Sequence, residues 1–150
     1  MNEHDIQLFV GLVTHYFKTT SGIGAQIGTP YLSTARDLEL LDYSAAIGIS
    51  GNQKGVIYFT ATRALARKLV RLNGEAQAHD ELCADMVGEV ANTISGNARE
   101  KMGSGFMISV PLVFTGRPDN LRLPTRLPVV VLPVKWSDER AFVVICLALN

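Results

Sequence analysis

The sequence predicts an α+β fold in which long helices pack on a largely antiparallel β-sheet. Three observations predict it. Segments 5–19 and 80–102 repeat apolar residues at helical spacing. Segments 43–60, 108–114, 129–136 and 141–149 alternate or run apolar over strand lengths. The order is helix, strands, helices, strands, not the regular alternation of a parallel α/β fold. With 150 residues, 47% apolar, and no linker or low-complexity stretch, residues 1–150 are expected to form one domain.

The elements follow in order. Ile6, Phe9, Val10, Val13 and Phe17 recur at helical spacing, so 5–19 reads as a helix, with Gly22 and Gly24 after it. Residues 24–32 suggest a short strand stopped by Pro30. Tyr43, Ala45, Ile47 and Ile49 alternate with small residues, a strand pattern. Turn residues 51–55 and the run 56–60 complete a hairpin. Thr62 can cap a short helix with Leu65, Leu69 and Leu72 inward, closed by Asn73-Gly74. The central helix runs from about Asp80 to Met102 and stops at Gly103. Strands are expected at 108–114, at 129–136 and, after the turn Ser137-Asp138-Glu139, at 141–149. Pro133 cannot donate to a ladder, which predicts an edge or bulged strand around it. The loop 116–126 carries Arg117, Arg122 and Arg126, read as a solvated segment or a contact for an acidic partner.

The 14 basic and 14 acidic residues cancel, so no net field draws the chain to nucleic acid or an anionic membrane. The longest apolar run near the C-terminus, 127–134, holds two prolines and is too short to span a bilayer, which needs about 20 residues. The first residues lack the basic start of a secretion signal, which makes a cytoplasmic location the expectation. Cys83 and Cys146 show no metal or redox spacing and read as buried, reduced thiols. His4, His15 and His79 have no carboxylates at ligand spacing, so no metal site is expected.

Candidate chemistry concentrates on one face of the central helix. At about 100° per residue, Asp85, Glu89, Asn92 and Gly96 fall within about 60° of one another. Cys83, Met86, Val87, Val90, Ala91, Ile94 and Ala98 take the opposite arc. Glu89 and Asn92, at i and i+3, project side by side. A solvated helix face explains such a pair in many proteins. Here, though, the helix carries Gly88, Asn92, Gly96 and Asn97, poor helix formers, and glycine costs about 1 kcal/mol against alanine in a helix interior. Gly88 and Gly96 would let another protein's backbone come close to the pair, or let another helix of the same domain cross.

These residues carry a resemblance. Asp85-x-x-x-Glu89-x-x-Asn92, followed by Pro111, resembles the motif of the CheC/CheX/FliY family of response-regulator phosphatases. Residues 47–51 with 54–59 resemble that family's glycine-flanked hairpin. Residues 94–98 resemble the segment after its asparagine, and 108–113 its next strand. The resemblance is strong over about residues 40–116 and loose at the ends.

It implies a CheC-like fold with pseudo-symmetric halves and a phosphatase acting on the aspartyl-phosphate of a CheY-type receiver domain. Asn92 would orient the attacking water, and Glu89 would pair with the receiver's lysine. Asp85, Gly88 and Gly96 would belong to the partner-binding surface, with Asp85 orienting Glu89, contacting the receiver or remaining solvated. Mg²⁺ would sit on the receiver, and this chain would carry no cofactor. CheC-like members have two such helices; the first helix here has no Glu-x-x-Asn. One motif and one domain resemble the single-site, CheX-like branch, whose members dimerise through sheet edges; strands 129–136 and 141–149 are compatible edges. The alternative is a non-catalytic receiver-binding or flagellar-switch-like scaffold.

Overall fold

The computed structural model of the chain describes residues 1–118 and 128–149. Arg122 and Arg126 lie outside the described residues. The elements are α1 (Glu3–Ser21), β1 (Gln26–Ile27), β2 (Tyr31–Ser33), β3 (Tyr43–Gly51), β4 (Gln53–Ala61), α2 (Arg63–Leu72), α3 (Asp80–Met102), β5 (Phe106–Ile108), β6 (Leu112–Thr115), β7 (Val129–Trp136) and β8 (Glu139–Leu149). The eight strands form one antiparallel sheet in the order β1-β7-β8-β4-β3-β5, with β2 beside β7 and β6 beside β3. The α+β expectation holds.

Local chemistry sets the boundaries. Asn2 and Asp5 form a reciprocal capping box at the start of α1. Gly22, at φ 75°, closes that helix in the left-handed region. The Thr62 side chain accepts from Leu65 N at the start of α2. Leu72 is 54% exposed; the inner face of α2 is Leu65, Ala66, Leu69 and Val70. Ser137 and Asp138 take φ of 51° and 62°, the double positive φ of a two-residue type I′ hairpin, and so join β7 to β8.

The halves repeat. Each is a long helix, a broken edge strand and a long hairpin: α1, β1/β2, β3–β4, then α3, β5/β6, β7–β8. Each edge strand pairs with the first hairpin strand of the other half, and β4 and β8 meet at the centre over Gln53↔Leu149 to Ala61↔Ala141. Both edges break after two or three residues, at 28–30 and 109–111, and both breaks end in proline. At each break one main-chain N–H still reaches the neighbour: Gly28 N donates to Pro133 O at 2.9 Å, and Ser109 N to Gly48 O at 2.9 Å.

Two expectations are corrected. Pro133 is not on an edge: β7 lies between β8 and β1/β2, and β8 is interior. The proline is tolerated because its missing donor faces the gap between β1 and β2, where no ladder partner asks for it. The free edges of the sheet are β1/β2 and β5/β6. Likewise, the single strands expected at 24–32 and 108–114 are each split in two.

The helices cover one face of the sheet. Phe17 sits between Phe59 and Trp136, with ring centroids 6.5 and 5.5 Å away. Each such fully buried large apolar side chain contributes about 1.5–3 kcal/mol. The other face carries a smaller cluster of Tyr58, Val129, Val131, Val144 and Cys146 under Leu38. Arg117 secures that cover by donating from Nη1 to Leu38 O (2.6 Å) and from Nη2 to Ala35 O (2.7 Å), so this arginine is engaged within the chain.

Candidate functional site

Helix α3 has two sides, as its sequence predicts. Cys83, Met86, Val87, Val90, Ala91, Ile94 and Ala98 are all buried. Asp85, Glu89 and Asn92 are exposed. The three stand together on one face, and none has a hydrogen-bond or ion-pair partner among the described residues. A carboxylate and an amide one turn apart are therefore free to engage a second molecule.

The surroundings of the stripe differ on its two flanks. On one, Tyr16 of α1 is 5% exposed, and its phenol is pushed up to about 12, first by burial and then by the charge of Glu89, with hydrogen bonding to Thr20 opposing. A neutral hydroxyl in an apolar helix contact thus lies within the field of Glu89. On the other flank stands the broken edge β5/β6. Gly88 is buried there: a Cβ on it would lie 2.8 Å from Val113 Cγ2 and 3.9 Å from Pro111 Cγ.

This corrects one expectation. The space left by Gly88 is filled by the chain's own strand β6, not held open for a partner. Gly96 is different, since a Cβ there would meet nothing within 4 Å. Val113 and Tyr16, the walls of the stripe, are not singled out by sequence reasoning. The signal for Gly88 was its angle, about 60° from Asp85 and toward the apolar arc.

Two clefts flank the stripe near its C-terminal end. One, of about 550 Å³, lies between α1 and α3 and includes Leu8, Gly11, Asn97 and Lys101. The other, of about 480 Å³, runs from Gly96 past Arg99 to Ser104 and Ile108. Glu89 and Asn92 line neither cleft and stand exposed on the surface of α3. Among the described residues no group of three or more His, Cys, Asp or Glu side chains could hold a metal, and no helix is long and apolar enough to cross a membrane.

Three helices on an antiparallel sheet, with a helix, a broken edge strand and a hairpin repeated in each half, define a CheC-like fold. Residues 43–135 match the family described as chemotaxis phosphatase CheX, and the chain belongs to that family. Among solved structures it is similar to a protein of Desulfovibrio vulgaris Hildenborough ascribed to chemotaxis (TM-score 0.81, 31% identity, 95% of this chain and 96% of that one). It is also similar to a CheC-like superfamily protein from Shewanella sp. PV-4 (TM-score 0.83, 25% identity, 99% of each chain). A third likeness, of fold alone, is to a chain of the CheX–CheY–BeF₃–Mg²⁺ complex from Borrelia burgdorferi (TM-score 0.73, 22% identity, 95% of this chain and 96% of that one). The comparison with curated protein sequences gave no match.

Proposed function

We propose that this chain hydrolyses the aspartyl-phosphate of a CheY-like receiver domain by docking the Glu89/Asn92 face into the receiver's active site. One observation carries the reading: two exposed side chains without hydrogen-bond or ion-pair partners among the described residues, one turn apart, inside the segment that matches the CheX family. The Borrelia complex, in which a protein of the same fold is bound to CheY, supports the choice of partner.

The chemistry suits these side chains. Phosphoryl transfer asks mainly for positioning and charge stabilisation. The Asn92 amide offers a donor and an acceptor and does not titrate, so it can fix a water in line with phosphorus. The water oxygen bonds to phosphorus as the bond to the aspartyl oxygen breaks. Inorganic phosphate and a free aspartate result, and one proton passes to solvent. Glu89 pairs with a cationic side chain of the receiver and fixes the docked geometry. Mg²⁺ belongs to the receiver. Asp85 and Gly96 border the contact. A homodimer joined through a free sheet edge, where Leu32 is 73% and Leu112 is 68% exposed, belongs to the same reading; a monomer in sedimentation equilibrium at working concentrations would remove it.

The test is phosphate release from a phosphorylated receiver. Wild type is expected to accelerate it, and Asn92→Ala to lose on the order of 10²-fold. Glu89→Gln should lose less at saturating receiver, mostly through KM. A tight receiver complex with no turnover would replace this reading with the scaffold alternative.

A further inference from the structure

The position of Gly88 is tighter than helix packing alone requires. It is buried, and the 2.8 Å from its would-be Cβ to Val113 Cγ2 is below the 3.0 Å that real Cβ atoms essentially never cross. Val113 is β-branched and stiff at χ1, so it has little freedom to swing aside. A side chain at 88 must therefore move α3, strand β6, or both.

The other half of the molecule is a control. The helix-closing glycines Gly22 and Gly103 and the break prolines Pro30 and Pro111 lie eight residues apart in each half, which sets the alignment. Gln7 then corresponds to Gly88, and Leu32 to Val113. Where the helix carries exposed Gln7, Leu32 is 73% exposed. Where it carries Gly88, Val113 is drawn against the core. Close approach of helix and edge strand thus goes with the half that holds the polar pair.

Asn92 lies one turn beyond Gly88 in the same i, i+4 row. A helical side chain leans over the turn N-terminal to its own Cα, so the side chain at 92 leans toward the level of Gly88. We propose that Gly88 is a positioning residue of the phosphatase site: its missing side chain lets α3 close on Val113 and Pro111, and that closeness sets where Asn92 stands. The catalytic part of this inference rests on the function assigned to Asn92 above.

The test is a four-variant cycle of wild type, Gly88→Ala, Val113→Ala and the double variant, read two ways. The first readout is steady-state dephosphorylation of a phosphorylated receiver. The second is the Asn92 side-chain amide resonance, assigned by its loss in Asn92→Ala. Gly88→Ala should lower kcat by about 10- to 100-fold, since small misplacements cost that much. KM and melting temperature should change little, and the Asn92 resonance should move. Adding Val113→Ala removes the methyl in conflict, and should restore both turnover and resonance. The proposal is overturned if Gly88→Ala leaves the resonance and kcat where they were, or if the double variant is no better than Gly88→Ala. Should wild type release no phosphate, the assigned function fails, while the resonance still decides the positioning.

Discussion

The two halves of this molecule share a frame and differ on one face. Each pairs a long helix with a broken edge strand and a hairpin, and each break ends in a proline. At the places where α3 carries Asp85, Glu89, Asn92 and Gly96, α1 carries His4, Leu8, Gly11 and His15. Leu8 is half-buried and packs against the core, whereas Glu89 is exposed and has no hydrogen-bond or ion-pair partner among the described residues. The difference teaches where the constraint lies. The sheet and the apolar arcs need only volume and pattern, so both halves satisfy them with different residues. The polar pair needs particular groups at particular places, and one half alone supplies them.

The sharpest way to break the comparison is to make the second half resemble the first. Glu89→Leu combined with Asn92→Gly should reduce receiver dephosphorylation by at least about 10²-fold. The fold should survive, because both positions are exposed. The reverse exchange, Leu8→Glu with Gly11→Asn, should add no second site. α1 carries exposed Gln7 where α3 carries Gly88, and Leu32 is exposed where Val113 packs against the core. A doubling of turnover per chain would show that the frame alone makes a site and that helix-to-edge distance is irrelevant.

Much of this was legible in the sequence, for physical reasons that differ by element. The helices and long hairpins announce themselves because burial on one side imposes a period of 3.6 or 2. The exposed face with Glu89 and Asn92 was legible because the residues at helical spacing opposite it are apolar. Gly88 was misjudged because its neighbour Val113 comes from another element, and no local pattern reports a distance across the fold. The edges were misassigned for the same reason. Pro133 reads as an edge marker, yet it is accommodated by a gap between two short strands that pairing with a distant segment creates.

The helix ends compare in the same way, with a smaller expected effect. α1 is held at its C-terminus by a side chain: the buried Trp136 indole donates to Ser21 Oγ at 3.2 Å and to Ile23 O at 3.1 Å. The end of α3 is held by backbone, with Asn52 N donating to Gly105 O at 2.8 Å, where a Cβ on Gly105 would strike Asn52 Nδ2. Trp136→Phe keeps most of the apolar bulk but removes the donor. A cost of about 1–3 kcal/mol follows, a fall in Tm of roughly 5 °C. Phosphatase activity per folded molecule should be unchanged, because the tie holds the end of α1 and not the helix that carries the pair. Lost activity at unchanged Tm would mean that α1 positions the site as directly as β6 does.

The helix starts give the smallest effect. The start of α1 is local, closed by Asn2 and Asp5 within one turn. The start of α3 has no side-chain cap from His79. Its first residue, Asp80, instead accepts from the Tyr43 hydroxyl on β3, with Arg63 of α2 3.5 Å away. The hydrogen bond from the Tyr43 hydroxyl holds the Asp80 carboxyl below the usual carboxylate range; burial, the next largest effect, opposes it, and the charges of Arg63 and then Arg67 add to the lowering. A carboxyl with a depressed folded-state pKa stabilises above its unfolded value of about 4, and that contribution disappears as pH falls through the folded value. Asp80→Asn should therefore lower Tm slightly at pH 7, and the gap to wild type should close on acidification below about pH 4. The effect is small because Asp80 is largely exposed and its ion pair is screened. Asp5→Ala at the start of α1 removes the acceptor of a contact that spans three residues rather than 37, so it should loosen α1 without disturbing β3. If Asp80→Asn instead leaves Tm unchanged at every pH, the start of α3 depends on burial of Cys83 and Met86 alone, and the two helix starts differ less than their contacts indicate.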